Sequence, residues 1–226
     1  MPITVEKILA MPDARLLLQK VEVMLAAERT RRDAFREWLD EDKKAEFING
    51  EIIMHSPVKK SHWQVSGYLS VLLNAYVGMH KLGIVAVEKA LISLTRNDYE
   101  PDLSFFKNDK AASLHADQMI FPAPDFIVEI LSKSTAKYDK GIKHKDYAAH
   151  GIREYWIIDP DQQMIEQYLL IGEDQKYMPA SAYRINDDIK SAVIEGFETP
   201  VAALFEQEVN LKVLQKIVAP NPTPNP

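Results

Sequence analysis

PDFIVEILSKSTAKYDKGIKHKDYAAHGIREYWIIDP, residues 124–160, is the stretch that decides the fold. Phe126 to Leu131 is an apolar, β-branched run of the kind that forms a central strand buried on both faces. Its one charge is Glu129. A helical pattern follows over roughly Asp139 to Ala149 and stops near Gly151, and Tyr155 to Ile158 is the next strand, closed by Asp159–Pro160. Strand, helix and strand make one crossover unit, so the two strands are expected side by side and parallel.

Upstream, Ala14, Leu17, Leu18, Val21, Met24 and Leu25 recur at helical spacing between Pro12 and Ala27, with Pro12 and Asp13 marking the start. A second helix is expected from Glu28 to Leu39, where Phe35, Trp38 and Leu39 share a face. Ala45–Ile48 and Glu51–His55 flank Asn49–Gly50, a dipeptide suited to a two-residue type I′ turn, which predicts a β-hairpin. The spacing of Val65, Tyr68, Leu69, Leu72 and Tyr76 predicts a helix over Ser61 to Val77. Ile84 to Leu94 reads as one strand, Thr95 to Glu100 as a turn, and Asp102 to Phe106 as a shorter strand. A loop with Pro122 and Pro124 leads into the central strand. Downstream, Met164 to Ile171 is a further alternating strand, and Ala192 to Glu195 with a short helix near Val201 to Phe205 completes the core. The hairpin and the Met164 strand suggest antiparallel pairing at an edge, so the architecture is a mixed sheet flanked by helices, with function expected at strand ends.

The 226 residues suffice for one substantial core, and 46% hydrophobic with 27% charged residues is the balance of a globular chain. No window approaches the ~20 consecutive apolar residues of a membrane helix, and the start lacks the layout of a secretory signal, so a cytoplasmic protein with no membrane partner is expected. The absence of cysteine excludes disulfides, a thiol nucleophile and thiolate-bound metals. A net charge of −6 argues against an indiscriminate nucleic-acid binder. Residues 132–153 nevertheless hold six basic side chains against two acidic ones, a strip that either attracts phosphate or is a solvated helix face.

An ionised carboxylate within a buried strand costs several kcal/mol unless compensated, so Glu129 implies a partner, either a core arginine or lysine or a metal ion. Asp102 opens the neighbouring strand after Pro101 and supplies a second carboxylate, although aspartate after proline is also an ordinary turn residue. Two carboxylates on adjacent strands suit a hard divalent cation such as Mg²⁺ or Mn²⁺, which would polarise a phosphoryl oxygen and activate water. Lys143, on the following helix, can reach back to orient that water or neutralise developing charge; otherwise it is a surface lysine. No HExxH spacing, Walker loop or GxGxxG turn is present.

Three segments, EFINGEIIMHSP from Glu46, PDLSFF from Pro101 and the long stretch from Pro124, resemble the Uma-two family of "putative restriction endonuclease" domain proteins. That family is a branch of the PD-(D/E)XK nuclease superfamily, and the likeness covers about Phe35 to Phe205. It implies a restriction-endonuclease-like fold with Asp102 as the motif aspartate, Glu129 as the second acidic ligand and the Ile130 carbonyl as a further metal ligand. The superfamily's usual lysine two positions after the glutamate is absent, because Leu131 stands there; Lys143 is similar in place to a displaced lysine from the next helix. Glu46 matches a family glutamate that helps orient water or a second metal, with an exposed cross-strand pair to a lysine as its other reading. His62, Lys140 and Ser132 are candidate phosphate or substrate contacts, while capping or packing is the alternative for His62 and Ser132 and also for Asp125. Tyr147 and Tyr155–Trp156 read as core aromatics.

These observations imply a divalent-metal-dependent endonuclease that hydrolyses DNA phosphodiester bonds through a metal-activated water. The rival reading is a catalytically silent nucleic-acid-binding or assembly protein on the same fold. The expected organisation is an N-terminal helical extension over 1–34, a nuclease-like domain over 35–210 and a tail over 211–226, Pro-rich at its end. The apolar stripe of the extension suggests a homodimer.

Overall fold

A computed structural model describes residues 4–172 and 175–219. Pro220, Pro222, Pro224 and Pro226 lie outside the described residues. The chain divides into two compact units, one comprising the residues up to His55 with Thr95–Asn97 and the other the remainder.

In the first unit, α1 (Val5–Leu9) starts at Thr4, whose hydroxyl accepts the Lys7 N–H at 3.4 Å. The two helices expected between Pro12 and Leu39 are one, α2 (Ala14–Trp38). Nothing at Ala27–Glu28 breaks a helix: the residues there are good helix formers, and neither glycine nor proline interrupts the run. The predicted hairpin is present as β1 (Ala45–Ile48) and β2 (Glu51–Met54), with φ of 51° at Asn49 and 88° at Gly50, the paired positive angles of a type I′ turn. Phe35 of α2 packs on Phe47 of β1 with ring centroids 5.7 Å apart. Arg32 donates to the carbonyls of Thr95 and Asn97, and Arg96 grips Glu28 with two hydrogen bonds that hold its carboxyl below the usual range.

The second unit opens with α3 (Lys60–His80). The single strand expected over Ile84 to Leu94 is two, β3 (Gly83–Val87) and β4 (Leu91–Ser93). Glu88 and Lys89, with φ of 50° and 49°, turn the chain between them. Two-residue β5 (Asp98–Tyr99) precedes β6 (Leu103–Lys107); a one-turn α4 (Asn108–Ala111) and β7 (Ile120–Phe121) interrupt the loop before β8 (Phe126–Ile130). The crossover contains α5 (Ala136–Tyr138), a π-helical turn over Asp139–Lys143 and α6 (His144–Ala149). Then come β9 (Glu154–Asp159), β10 (Met164–Leu169), β11 (Ser181–Arg184), β12 (Asp188–Lys190), β13 (Glu198–Pro200), a 3₁₀ turn over Val201–Leu204 and α7 (Gln207–Val218). The boundaries read at 34/35 and 210/211 therefore fall inside α2 and α7, and α7 contributes Val213 to the core.

The central sheet runs β11-β10-β9-β8-β6-β3, with β8 and β9 parallel and the other neighbours antiparallel. Because side chains alternate along a strand, Phe126, Val128 and Ile130 enter one core, together with Leu69 and Leu72 of α3 and Trp156 of β9. Ile127 and Glu129 face the other way. At the edge of the sheet, Gly83 allows close approach: a Cβ there would stand 2.0 Å from the Phe106 carbonyl oxygen. The Ala192–Glu195 segment is a turn between β12 and β13, and no helix among the described residues is long and apolar enough to cross a membrane.

Candidate active site

Pairing Leu103 of β6 with Val128 of β8 carries Asp102 and Glu129 to the same end of the two neighbouring strands. Asp102 stands one residue before β6, held by its carbonyl, which accepts the Glu88 N–H at 3.0 Å. Its Oδ2 accepts the Ile130 N–H at 2.7 Å. The Asp102 carboxylate is thus tied to the main chain beside Glu129. His62, in the first turn of α3, lies with Nε2 3.4 Å from the same Oδ2. Its Nδ1 is buried with no hydrogen-bond partner among the described residues.

Glu129 Oε1 takes two donors, Lys143 Nζ at 3.0 Å and the Tyr147 hydroxyl at 2.8 Å. Lys143 is not on the surface: it is 1% exposed, and the same nitrogen lies 3.2 Å from Asp139 Oδ1. The π-helical turn contains both Asp139 and Lys143, and Tyr147 follows at the next i+4 position, so one helical face presents carboxylate, ammonium and phenol in succession. Such turns are frequent at functional sites. The Tyr155 hydroxyl donates to the Asp139 carbonyl at 3.1 Å, and burial together with the charges of Glu129 and Asp139 pushes this phenol well above the usual tyrosine range. Beyond Lys143, 5.8 Å from its nitrogen, is the Tyr99 ring.

A second buried glutamate provides a contrast. Glu154 accepts from the Trp156 indole, the Gln167 amide, the Ser191 hydroxyl and the N–H groups of Ala192 and Val193, all within 3.0 Å. That carboxylate fastens the turn after β12 to the sheet. Glu129 instead meets an ammonium and a phenol at a strand end.

The remaining sequence candidates separate. Lys140 donates to Glu166 of β10 at 2.9 Å, and Ser132 accepts the Thr135 N–H at 3.2 Å, which is a capping arrangement. Asp125 accepts the Lys107 N–H and pairs with Lys110. Glu46 sits on β1 of the first unit with Oε2 3.6 Å from His55 Nε2, and it is buried, not exposed as its alternative reading had it. Asp139 and Tyr147 were not singled out as site residues by sequence; the D-x₃-K-x₃-Y spacing from 139 to 147 was the available signal.

Whether these residues suit a cation is a question of donor chemistry. Among the described residues no three His, Asp or Glu side chains are gathered to hold a metal ion. An Mg²⁺-type ion needs only one or two carboxylates, because water completes its coordination. Asp102, Glu129 and Asp139 are buried carboxylates, and Lys143 is the buried lysine among them. Anionic charge is in excess, and the donors are hard oxygens, so the residues fit such an ion.

The fold is a restriction-endonuclease-like mixed sheet flanked by helices. A family model described as "Putative restriction endonuclease" matches residues 32–202, and the chain belongs to that family, Uma2. An uncharacterized protein of Synechocystis is 27% identical over 162 residues, covering 71% of this chain and 88% of its own. The crystal structure of a "putative nuclease" from Anabaena variabilis superposes with a TM-score of 0.66 at 19% identity, over 80% of this chain and 97% of that one, and so shares the fold.

Proposed function

We propose that the protein is a divalent-metal-dependent endonuclease that hydrolyses DNA phosphodiester bonds. The observation that carries this reading is the convergence of Asp102, Glu129 and Lys143, from three separate segments of the chain, at one end of the central strands. Asp102, Glu129 and the Ile130 carbonyl would hold Mg²⁺ or Mn²⁺. Once bound, the ion supplies Lewis acidity toward a phosphoryl oxygen and an acidified water. The chain's own residues supply position: the Ile130 N–H and His62 fix the Asp102 carboxylate, and Tyr147 fixes Glu129. Lys143 brings a positive charge to the place where a phosphate would gather negative charge.

DNA is the proposed partner on the strength of the family, and the setting is cytoplasmic. Calorimetric titration of Mn²⁺ into wild type and Asp102→Ala, followed by plasmid cleavage with Glu129→Gln, tests the reading. Binding is expected to be lost in the first variant and cleavage in the second. Cleavage retained by a folded Glu129→Gln protein would overturn the assignment. The non-catalytic reading draws support from one feature, that Glu129 Oε1 is already satisfied by Lys143 and Tyr147; metal binding without cleavage of any DNA would favour it.

We also propose that a second copy of the chain covers the apolar stripe of α2. Leu18, Val21, Met24 and Leu25 lie on that stripe and are exposed large hydrophobics of the first unit.

A further inference from the structure

Asp139 is a buried carboxylate for which the metal-dependent reading provides no role. It is 1% exposed, and its Oδ1 lies 3.2 Å from Lys143 Nζ, while that nitrogen lies 3.0 Å from Glu129 Oε1. One ammonium is therefore shared by two carboxylates held on different elements, Glu129 by β8 and Asp139 by the π-helical turn. The Tyr155 hydroxyl, donating to the Asp139 carbonyl, anchors that turn to β9.

A divalent cation arriving at Glu129 repels the ammonium already seated there. A lysine with Glu129 as its sole counter-charge would have to leave the site or keep the cation out. With Asp139 beside it, Lys143 can surrender Glu129 and still have a counter-ion four residues back on its own helix. We infer that Asp139 is a positioning residue that retains Lys143 in the site when Glu129 engages a divalent cation, so that lysine and cation occupy the site together. This rests on the reading of Asp102 and Glu129 as cation ligands.

The test is calorimetric titration with Mn²⁺ alone, without nucleic acid, of wild type, Asp139→Asn and the double variant Asp139→Asn/Lys143→Met, with folding checked by near-ultraviolet circular dichroism. Asp139→Asn is expected to weaken Mn²⁺ binding by about 10- to 100-fold, an effect of the size seen when a group behind a metal site's own ligands is removed, because Lys143 is then left to compete for Glu129. The double variant is expected to bind at least as tightly as wild type, because no ammonium is left to compete for Glu129. A second substitution that cancels the first is not what a structural role would give. Wild-type affinity in folded Asp139→Asn, or a double variant more than about tenfold weaker than wild type, overturns the inference. If Asp139→Asn does not fold, the comparison of the double variant with wild type decides by the same criterion. Failure of wild type itself to bind Mn²⁺ overturns the cation reading and this inference with it, whereas wild-type binding with an unaffected Asp139→Asn variant overturns the inference alone.

Discussion

Lys143→Met removes the ammonium from between Glu129 and Asp139 and leaves both carboxylates in a buried site. Coulomb attraction at the observed 3.0 and 3.2 Å amounts to about 5 kcal/mol per contact at an effective dielectric constant of about 20, most of it cancelled by desolvation of the charges. Removing one partner forfeits the attraction and leaves the desolvation in place, so the expected loss is about 3 to 5 kcal/mol. That is a large part of the ~5 to 15 kcal/mol that holds a typical domain together. Urea unfolding followed by the fluorescence of Trp156, which is fully buried in the core of the second unit, measures it. At an m-value of about 2 to 3 kcal/mol/M, the midpoint should fall by roughly 1 to 2.5 M. Adding Asp139→Asn should recover part of the loss, since one of the two uncompensated anions is then gone. A loss below about 1 kcal/mol would mean that Lys143 is not what compensates these carboxylates, and the reasoning that makes it the central cation of the site would fail.

Alkaline stability follows from the phenols. Tyr168, beside Glu166, is pushed from 10.0 to about 12 by burial, and Tyr155 and Tyr177 are also raised. A group whose folded pKa is raised contributes stability that is complete below its unfolded value and lost as pH rises toward the folded one. Unfolding free energy should therefore fall from pH 10 upward, with tyrosinate absorbance appearing together with unfolding; tyrosinate formed at pH 10 by these three residues in a folded protein would contradict this. For the proposed dimer, sedimentation should show a mass that depends on concentration in wild type and a monomer in Val21→Glu, and a concentration-independent wild-type monomer would rule the dimer out.

Where periodicity and a single chemical oddity coincided, the sequence was readable. The Phe126–Ile130 strand, its crossover and the Asn49–Gly50 hairpin are each fixed by local rules, and each is present. The break between β3 and β4 was hidden because Glu88 and Lys89 carry no glycine or proline signal, yet both adopt positive φ. The Glu88 N–H donates to the Asp102 carbonyl, a contact fourteen residues away in sequence that no window of local propensity contains. The small strands β11, β12 and β13 were missed for a similar reason: they are three or four residues long, too short to show a period.

The candidate site shows the same division in its chemistry. Glu129 stood out because a charge interrupts an apolar run, and Glu154 did not, because it opens a strand after Arg153 and looks like a surface residue. Both are buried, and what separates them is the identity of their donors. Five neutral donors around Glu154 satisfy it permanently and leave nothing to exchange. Glu129 is held by a lysine with a second carboxylate within reach, so its counter-charge can move without becoming unpaired. A buried carboxylate with a mobile counter-charge can accept a cation, whereas one locked to backbone amides and neutral side chains can only brace the fold. The role proposed for Glu129 rests on that difference in partners more than on burial itself.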